Sequence, residues 1–198
     1  MNRFTFDIAN ESVYDRGVGK IAPPIRTEQG VRLQQDQLGH DVCTGHVRRL
    51  FVIDIENIAG SAYNVTPAGA LRVRRLLERE LGLADDEQAV IAVTADQGVF
   101  PVAQAFPGKQ VLVRRGASGA DLALIESIDA RHTAARYDEV VLVSGDGIFA
   151  QLASMLAYYG ATVTVAADAN QLSARLRLAS HRTHILNTLT SMYQKAAA

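Results

Sequence analysis

The sequence predicts an α/β protein with a doubly wound, mainly parallel five-stranded sheet and helices on both faces. Five short runs rich in Val and Ile predict the strands, at residues 50–55, 89–95, 110–115, 139–145 and 161–167. Such nearly continuous apolar runs are typical of strands that are buried on both faces. Segments with helical periodicity separate the runs, and this alternation favours right-handed crossovers between parallel strands.

Four helices are predicted between and after the strands. The first covers residues 66–82, where Thr66 suits the N-cap, Pro67 the first helical position and Gly82 the C-terminal stop. The second begins near Asp121, with Leu122, Ile125 and Ile128 expected on its buried side. The third extends from about Gly147 to Tyr159, and the terminal segment "THILNTLTSMYQK" predicts the fourth.

The 198 residues divide into two parts by composition. Residues 1–47 contain Gly, Pro and many Gln without sustained apolar periodicity, which indicates an N-terminal extension or arm. Three roles for this arm stay open: it wraps the domain, it pairs with another protomer or a partner protein, or it stays mobile. Residues 48–198 are predicted to form one domain that includes the C-terminal helix.

Composition indicates a globular protein and limits the ways in which it can bind an anionic substrate and the compartments in which it is expected. A hydrophobic fraction of 48% with 21% charged residues is unlike the composition of disordered chains. The net charge of -1 means that an anionic substrate would need a local Arg cluster or a metal ion. One cysteine, Cys43, suits a reducing compartment, and there is neither a bilayer-length apolar run nor a signal-peptide core. We therefore expect a cytoplasmic protein without membrane contact.

Carboxylates follow the predicted strands at their C-terminal ends. Asp54 follows the first strand, Asp146 ends the fourth, and Asp121 opens the helix after the third. In doubly wound sheets the ligand crevice lies beyond these strand ends, so the three carboxylates are expected to converge. Converging carboxylates need a proton or a cation, and oxygen ligands suit Mg²⁺ or Mn²⁺. Such a site would activate water and stabilise charge at a phosphodiester.

Each of these residues also has a purely structural interpretation. Asp121 suits a helix N-cap, Asp146 suits a turn residue in "SGDG", and Asp54 suits an acceptor for backbone amides beyond its strand. Asn57 is either a neutral ligand or water-orienting group, or a loop residue. Glu56 ranks below Asn57, because alternation along the chain can turn it away from Asp54.

Arginines near the same sheet edge are candidate phosphate contacts. Arg114 and Arg115 follow the third strand and are interpreted either as a phosphate clamp or as two solvated loop charges. Asp96, after the second strand, is interpreted as a turn residue, and Glu126 as a surface residue. A solvated face is predicted for four helix arginines: Arg72, Arg74, Arg75 and Arg79.

With these residues in place, the chain resembles the NYN family, a branch of the PIN-like nucleases. The resemblance covers roughly residues 48–186 and depends on "FVIDIEN", "GADLALIESI" and "VVLVSGDGIFAQLASMLAYYGATVTVAA". It implies a sheet of order 3-2-1-4-5 and divalent-metal-dependent RNA cleavage. The residues that match the acidic site of the family are Asp54, Asn57, Asp121 and Asp146, with Asp54, Asp121 and Asp146 as the expected metal ligands.

Two positions depart from the pattern of the family. Ile148 stands where the loop usually has a second aspartate, and Ser118 stands where a lysine is common three residues before the helix aspartate. The first change is expected to weaken a second metal position, and the second to remove a phosphate contact or an ion pair. Ser118 and Ser144 remain candidate substrate contacts beside Arg114 and Arg115.

The leading hypothesis is an endoribonuclease that uses Mg²⁺ or Mn²⁺. The alternative, which Ile148 favours, is a degenerate domain that binds RNA or a partner protein without cleavage. A phosphorylated receiver domain shares the doubly wound sheet, but it needs a Lys after the last strand and "AADANQ" has none.

Overall fold

A computed structural model of the chain describes residues 25–26, 32–35, 41–43, 47–61 and 65–187. The chain divides into two compact units, Met1–Gly45 and His46–Ala198. In the first unit, three short strands are described: β1 (Ile25–Arg26), β2 (Arg32–Gln35) and β3 (Asp41–Cys43). They pair antiparallel in the order β1-β2-β3. The extension therefore contains regular structure that its composition does not predict.

The second unit alternates strands with helices. Its strands are β4 (Arg49–Asp54), β5 (Gln88–Val93), β6 (Gln110–Val113), β7 (Glu139–Val143), β8 (Thr162–Ala167) and β9 (Arg182–Ile185). Its helices are α1 (Ile55–Ala59), α2 (Pro67–Leu81), α3 (Asp96–Ala105), α4 (Gly119–Ser127), α5 (Ala130–Arg136), α6 (Ala150–Tyr158) and α7 (Ala174–Ala179). A 3-10 turn, Gly147–Phe149, precedes α6.

The six strands of this unit form one parallel sheet in the order β6-β5-β4-β7-β8-β9. When these strands are numbered along the chain from β4, the first five have the order 3-2-1-4-5 in the sheet. The predicted fold class and order are therefore confirmed. The central neighbours of β4 are β5 and β7, and the order of the sheet reverses at β4. This reversal brings the C-terminal ends of β4 and β7 side by side.

The sixth strand is a difference from the sequence-based prediction. Residues 183–195 were expected to form a helix, but β9 occupies Arg182–Ile185 and pairs with β8. Its polar, mostly exposed residues lack the apolar run that identifies the other strands, because β9 is at the edge of the sheet. The rest of the predicted helix, from residue 188 onward, lies outside the described residues.

Both faces of the sheet are covered by helices, as predicted. On one face, Phe51 and Ile53 of β4 belong to the same core as Val73 and Leu77 of α2. On the other face, Leu50 and Val52 of β4 join Leu124 of α4 and Leu156 of α6. Period-2 alternation along β4 therefore supplies both cores. No helix among the described residues is long and apolar enough to cross a membrane.

The predicted helix boundaries and faces agree with the structure in part. Helix α2 begins after its N-cap Thr66 and ends before Gly82, as expected. In α4, however, the fully buried side is formed by Ala120 and Leu124, while Leu122 and Ile125 are half-buried.

Arg74 was wrongly assigned to a solvated face. Its side chain is buried, and its guanidinium bonds Glu78 (2.6 Å) and Asp85 (2.6 Å) above the ring of Phe106. Helical periodicity places Arg74 beside Val73 and Leu77, and only the neighbouring loop supplies the carboxylate of Asp85 that permits its burial.

Candidate metal centre and active site

Asp54 is held at the C-terminal end of β4 by two hydrogen bonds. It is the N-cap of α1, and the main-chain N–H of Asn57 donates to its Oδ1 (3.2 Å). The hydroxyl of Ser144, beyond the end of β7, donates to its Oδ2 (3.1 Å). Both carboxylate oxygens are thereby oriented by neighbouring segments, and only 5% of the residue is exposed.

The segment from Ser144 to Asp146 joins Asp54 to the next carboxylate. The main-chain N–H of Asp146 donates to Ser144 Oγ (3.2 Å), so that one hydroxyl links Asp54 and Asp146. The main-chain N–H of Gly145 donates to Asn57 Oδ1 (3.1 Å), which connects α1 to the same loop. Asp146 is exposed and caps the 3-10 turn by accepting the N–H of Ile148 (2.9 Å).

Close backbone packing determines where this loop lies. The carbonyl of Gly145 accepts the N–H of Ser173 (2.9 Å), the residue that precedes α7. A Cβ at Gly145 would overlap the carbonyl of Gln171, and one at Gly147 would meet Ser173 Oγ at 2.7 Å. The two glycines of "SGDG" therefore allow the loop after β8 to press against the loop after β7.

Asp121 reaches the site from the first turn of α4. The preceding residues make a sharp entry to the helix: Ser118 has φ 53 and ψ 26, and a Cβ at Gly119 would overlap the carbonyl of Arg114. A side-chain hydrogen bond joins Ser118 and Asp121. Asp121 also interacts directly with the carboxyl of Asp54.

The electrostatics of the site disfavour ionised carboxylates. Burial, followed by the charge of Asp121, raises the pKa of Asp54 to about 7, although the N–H of Asn57 and the hydroxyl of Ser144 act in the opposite direction. Burial and the charge of Asp146 likewise raise the pKa of Asp121. Without a cation, these raised pKa values favour retention of a proton by the pair near neutral pH.

The donor set fits a hard divalent cation. Among the described residues, Asp54, Asp121 and Asp146 form no ion pair with Lys, Arg or His, so no side-chain cation compensates their mutual repulsion. Within the same residues, no three Asp, Glu, His or Cys side chains converge as ligands of one ion. The arrangement thus suits an ion with few direct carboxylate ligands and several waters, which is the habit of Mg²⁺.

Glu56 has a structural role that its position in the sequence does not reveal. Its carboxylate accepts the main-chain N–H (2.6 Å) and the hydroxyl (2.7 Å) of Thr94, just beyond β5. Its charge also contributes to the raised pKa of Asp121. Thr94 was not a candidate in the sequence, because nothing in an apolar strand end indicates which carboxylate it will face.

Arg114 and Arg115 lie beyond β6 and each contacts an exposed carboxylate. Arg114 pairs with Glu126 of α4 (2.6 Å), and Arg115 pairs with Asp96 at the start of α3. Side-chain exposure is 41% for Arg114 and 79% for Arg115. Exposed pairs of this kind contribute only about 0–1 kcal/mol, so both guanidinium groups can exchange partners.

Comparisons with known proteins agree with this architecture. The family model described as "NYN domain" matches residues 49–187, more than half of the chain. A solved structure of a protein of unknown function from Vibrio parahaemolyticus is similar in fold, with a TM-score of 0.53 and 20% sequence identity over 73% of this chain and 96% of that chain. No curated protein matches the chain.

Proposed function

The chain belongs to the NYN domain family of the PIN-like superfamily, and from this membership we propose that it is a divalent-metal-dependent endoribonuclease. The observation that supports this function best is the contact between the carboxyls of Asp54 and Asp121. Burial raises both pKa values, together with the charge of Asp121 on Asp54 and the charge of Asp146 on Asp121, and no side-chain cation among the described residues pairs with either group. A divalent ion is the natural partner of such a pair.

The residues of this chain divide into ligands and positioning groups. Asp54 and Asp121 would hold Mg²⁺ or Mn²⁺, with Asp146 acting at longer range. When bound, the ion supplies charge stabilisation at the phosphodiester and lowers the pKa of water. Ser144, which is 1% exposed, donates to the carboxylate of Asp54 and accepts the main-chain N–H of Asp146, so it positions both residues. Asn57 fixes the loop by accepting the N–H of Gly145.

Arginines at the edge of the sheet provide the substrate contacts. Arg114 and Arg115 would release Glu126 and Asp96 and bind phosphates of the RNA, where bidentate hydrogen bonds favour guanidinium. Ser118 is exposed beside Asp121 and is the second candidate contact.

A binding domain without cleavage is the second candidate function, and Ile148 is the observation that favours it. Its side chain is 37% exposed, two residues beyond Asp146, where the family usually has a carboxylate. An Ile148→Asp variant separates the two functions. Metal-dependent cleavage that appears only in this variant would assign the natural chain to the binding class.

The nuclease function is tested by the carboxylate of Asp121. Purified protein is incubated with single-stranded and structured RNA in Mn²⁺, Mg²⁺ or EDTA, and the products are separated on a denaturing gel. Asp121→Asn removes a charged ligand and is expected to lower the cleavage rate by more than about 100-fold, because even outer partners of a metal site are worth roughly 10–100-fold.

The matched control is Glu126→Gln, which neutralises another carboxylate on the same helix. Glu126 is 65% exposed and pairs with Arg114, so cleavage should stay within about threefold of the natural rate. Absence of metal-dependent cleavage in the natural protein, or equal cleavage by Asp121→Asn, contradicts the nuclease proposal.

A further inference from the structure

A groove borders the candidate site on the side of α6. One wall contains Ile148, Met155 and Tyr159, and the other contains Ile125, Ile128 and Arg131. The groove has a volume of about 600 Å³, within the roughly 300–1,000 Å³ of small-molecule sites. Three of its apolar side chains are well exposed: Ile148 at 37%, Met155 at 44% and Tyr159 at 42%.

One end of the groove lies two residues from Asp146 in the chain. Ile148 forms its end nearest the site, and the N–H of Ile148 donates to the carboxylate of Asp146 (2.9 Å). Met155 and Tyr159 follow at helical spacing, seven and eleven residues after Ile148, so the apolar stripe extends along α6 away from Asp146. A nucleotide in the groove would therefore lie near the carboxylate site.

Arginines near the groove suit the phosphates of a polyanion, although the lining also carries the carboxylate of Asp129. Residues 150–159, which include all of α6, contain no charged side chain, whereas both helices that pack against α6 carry arginines: Arg131 on α5, and Arg175 and Arg177 on α7. These three arginines are exposed, and none forms a close salt bridge within the described part of the chain. An uncharged strip with an exposed aromatic ring beside cations resembles the surfaces that hold single-stranded nucleic acid, which stack bases on rings and bind phosphates with cations.

Two polar groups in the groove suit the edge of a base. Asp129 and Gln151 both line it, and the carboxylate of Asp129 already accepts the N–H of His132 (2.8 Å). The neighbouring His132 N–H lowers the pKa of Asp129, so this carboxylate is ionised and acts only as an acceptor. An exocyclic amino group of a base is the matching donor.

We propose that this groove binds an unpaired nucleotide of a single-stranded RNA beside the carboxylate site. The base lies against Ile148, Met155 and Tyr159, and Arg131 contacts the phosphate. This inference rests on the proposed function and specifies its substrate as single-stranded RNA. Paired bases cannot enter, because each is stacked and bonded within its duplex.

Fluorescence anisotropy in EDTA tests the groove without cleavage. The probe is a labelled single-stranded RNA of about 12 nucleotides, within the site sizes usual for single-strand binders, compared with the same RNA annealed to its complement. Tyr159→Ala is expected to weaken binding of the single strand by about tenfold, the effect of losing one stacked base, and to leave the duplex affinity within about twofold. Arg131→Gln should weaken binding and reduce the slope of log K against log salt by about one.

Matched controls come from the neighbouring residues. Tyr158 is 83% exposed and contacts the ring of Tyr159 edge-on, but it does not line the groove, so Tyr158→Ala should bind about as tightly as the natural protein. Arg136→Gln, at the other end of α5, should keep most of the affinity and the salt slope. Photocrosslinking of a 4-thiouridine RNA to the natural protein is expected at Met155 or Tyr159.

Several results would overturn the groove proposal. They are equal losses in Tyr158→Ala and Tyr159→Ala, crosslinks outside the groove, or equal affinity of the natural protein for single strand and duplex. A dimer that Tyr159→Ala dissociates in sedimentation would assign the groove to a second copy of the chain. No cleavage occurs in these assays, so the two proposals can fail separately. Strand-selective binding by a protein without nuclease activity contradicts only the proposed function, and cleavage by a protein without strand-selective binding contradicts only the groove.

Discussion

Asp54→Asn is expected to abolish metal-dependent RNA cleavage and, in EDTA, to make the protein more stable at neutral pH. The natural carboxyl has a pKa of about 7 in the folded chain, against 3.8 for an exposed aspartate. The folded state therefore holds this proton more tightly than the unfolded state does. Stability from this group is fully present below about pH 4 and is lost as pH rises through 7, the opposite of an ion-paired carboxylate.

The magnitude is large enough to measure. Between about pH 5 and about pH 8 the shift corresponds to a fall of about 3 kcal/mol in the free energy of unfolding of the natural protein. The amide introduced by Asp54→Asn is neutral at every pH, and it can donate to Asp121 as the protonated carboxyl does. Urea unfolding at several pH values should therefore give a natural-minus-variant difference that becomes more negative as pH rises.

Adding Mg²⁺ or Mn²⁺ should reverse the sign of this comparison. The proposed ion would bind the ionised pair of Asp54 and Asp121 in the folded state, so the Tm of the natural protein should rise with metal concentration at about pH 8. The Tm of Asp54→Asn should hardly change. The same metal response in both proteins, or a pH-independent difference between them, would contradict the assigned electrostatics.

Gly145→Ala is expected both to destabilise the fold and to lower the RNA cleavage activity of the site. The added Cβ overlaps the backbone carbonyl of Gln171, and neither backbone can move without loss of the hydrogen bond from Ser173 N–H to Gly145 O. Overpacking of this kind costs about 3 kcal/mol, which lowers Tm by about 6–12 °C. Because Gly145 N–H also fixes Asn57, RNA cleavage should fall even below the unfolding temperature.

Gly108→Ala is the matched control for this substitution. Gly108 has φ +74 and no atom within 4 Å of an added Cβ, so only the backbone strain of about 1 kcal/mol is expected. Thermal unfolding followed by circular dichroism compares the two variants. Equal Tm values for Gly145→Ala and the natural protein would show that the loops after β7 and β8 are not in close contact.

The carboxylate site illustrates how much of a candidate site can be predicted from local sequence patterns. Asp54, Asp121 and Asp146 were identified because apolar runs predicted parallel strands, and parallel strands place their following residues at one edge. The N-cap interpretation was wrong for Asp121, because Ser118 occupies the N-cap of α4. For the other two residues both interpretations are compatible: Asp54 and Asp146 cap short helical segments while their carboxylates still interact with Asp121. A capping geometry therefore does not exclude a site.

The sequence by itself determined the fold class and, through the NYN resemblance, the strand order, and it singled out the three carboxylates as candidates, because each of these inferences depends on short-range periodicity or on a local motif. Only the tertiary structure decided what each polar group contacts. Ser144 joins the carboxylate of Asp54 to the main chain of Asp146, and Glu56 bonds Thr94 just beyond the next strand. Asp85 pairs with the buried Arg74, and β9 is a strand because β8 offers it an edge. These partners are distant along the chain or lie on different strands. Their contacts form only when the sheet is assembled, so a pattern of neighbouring residues in the sequence does not predict them.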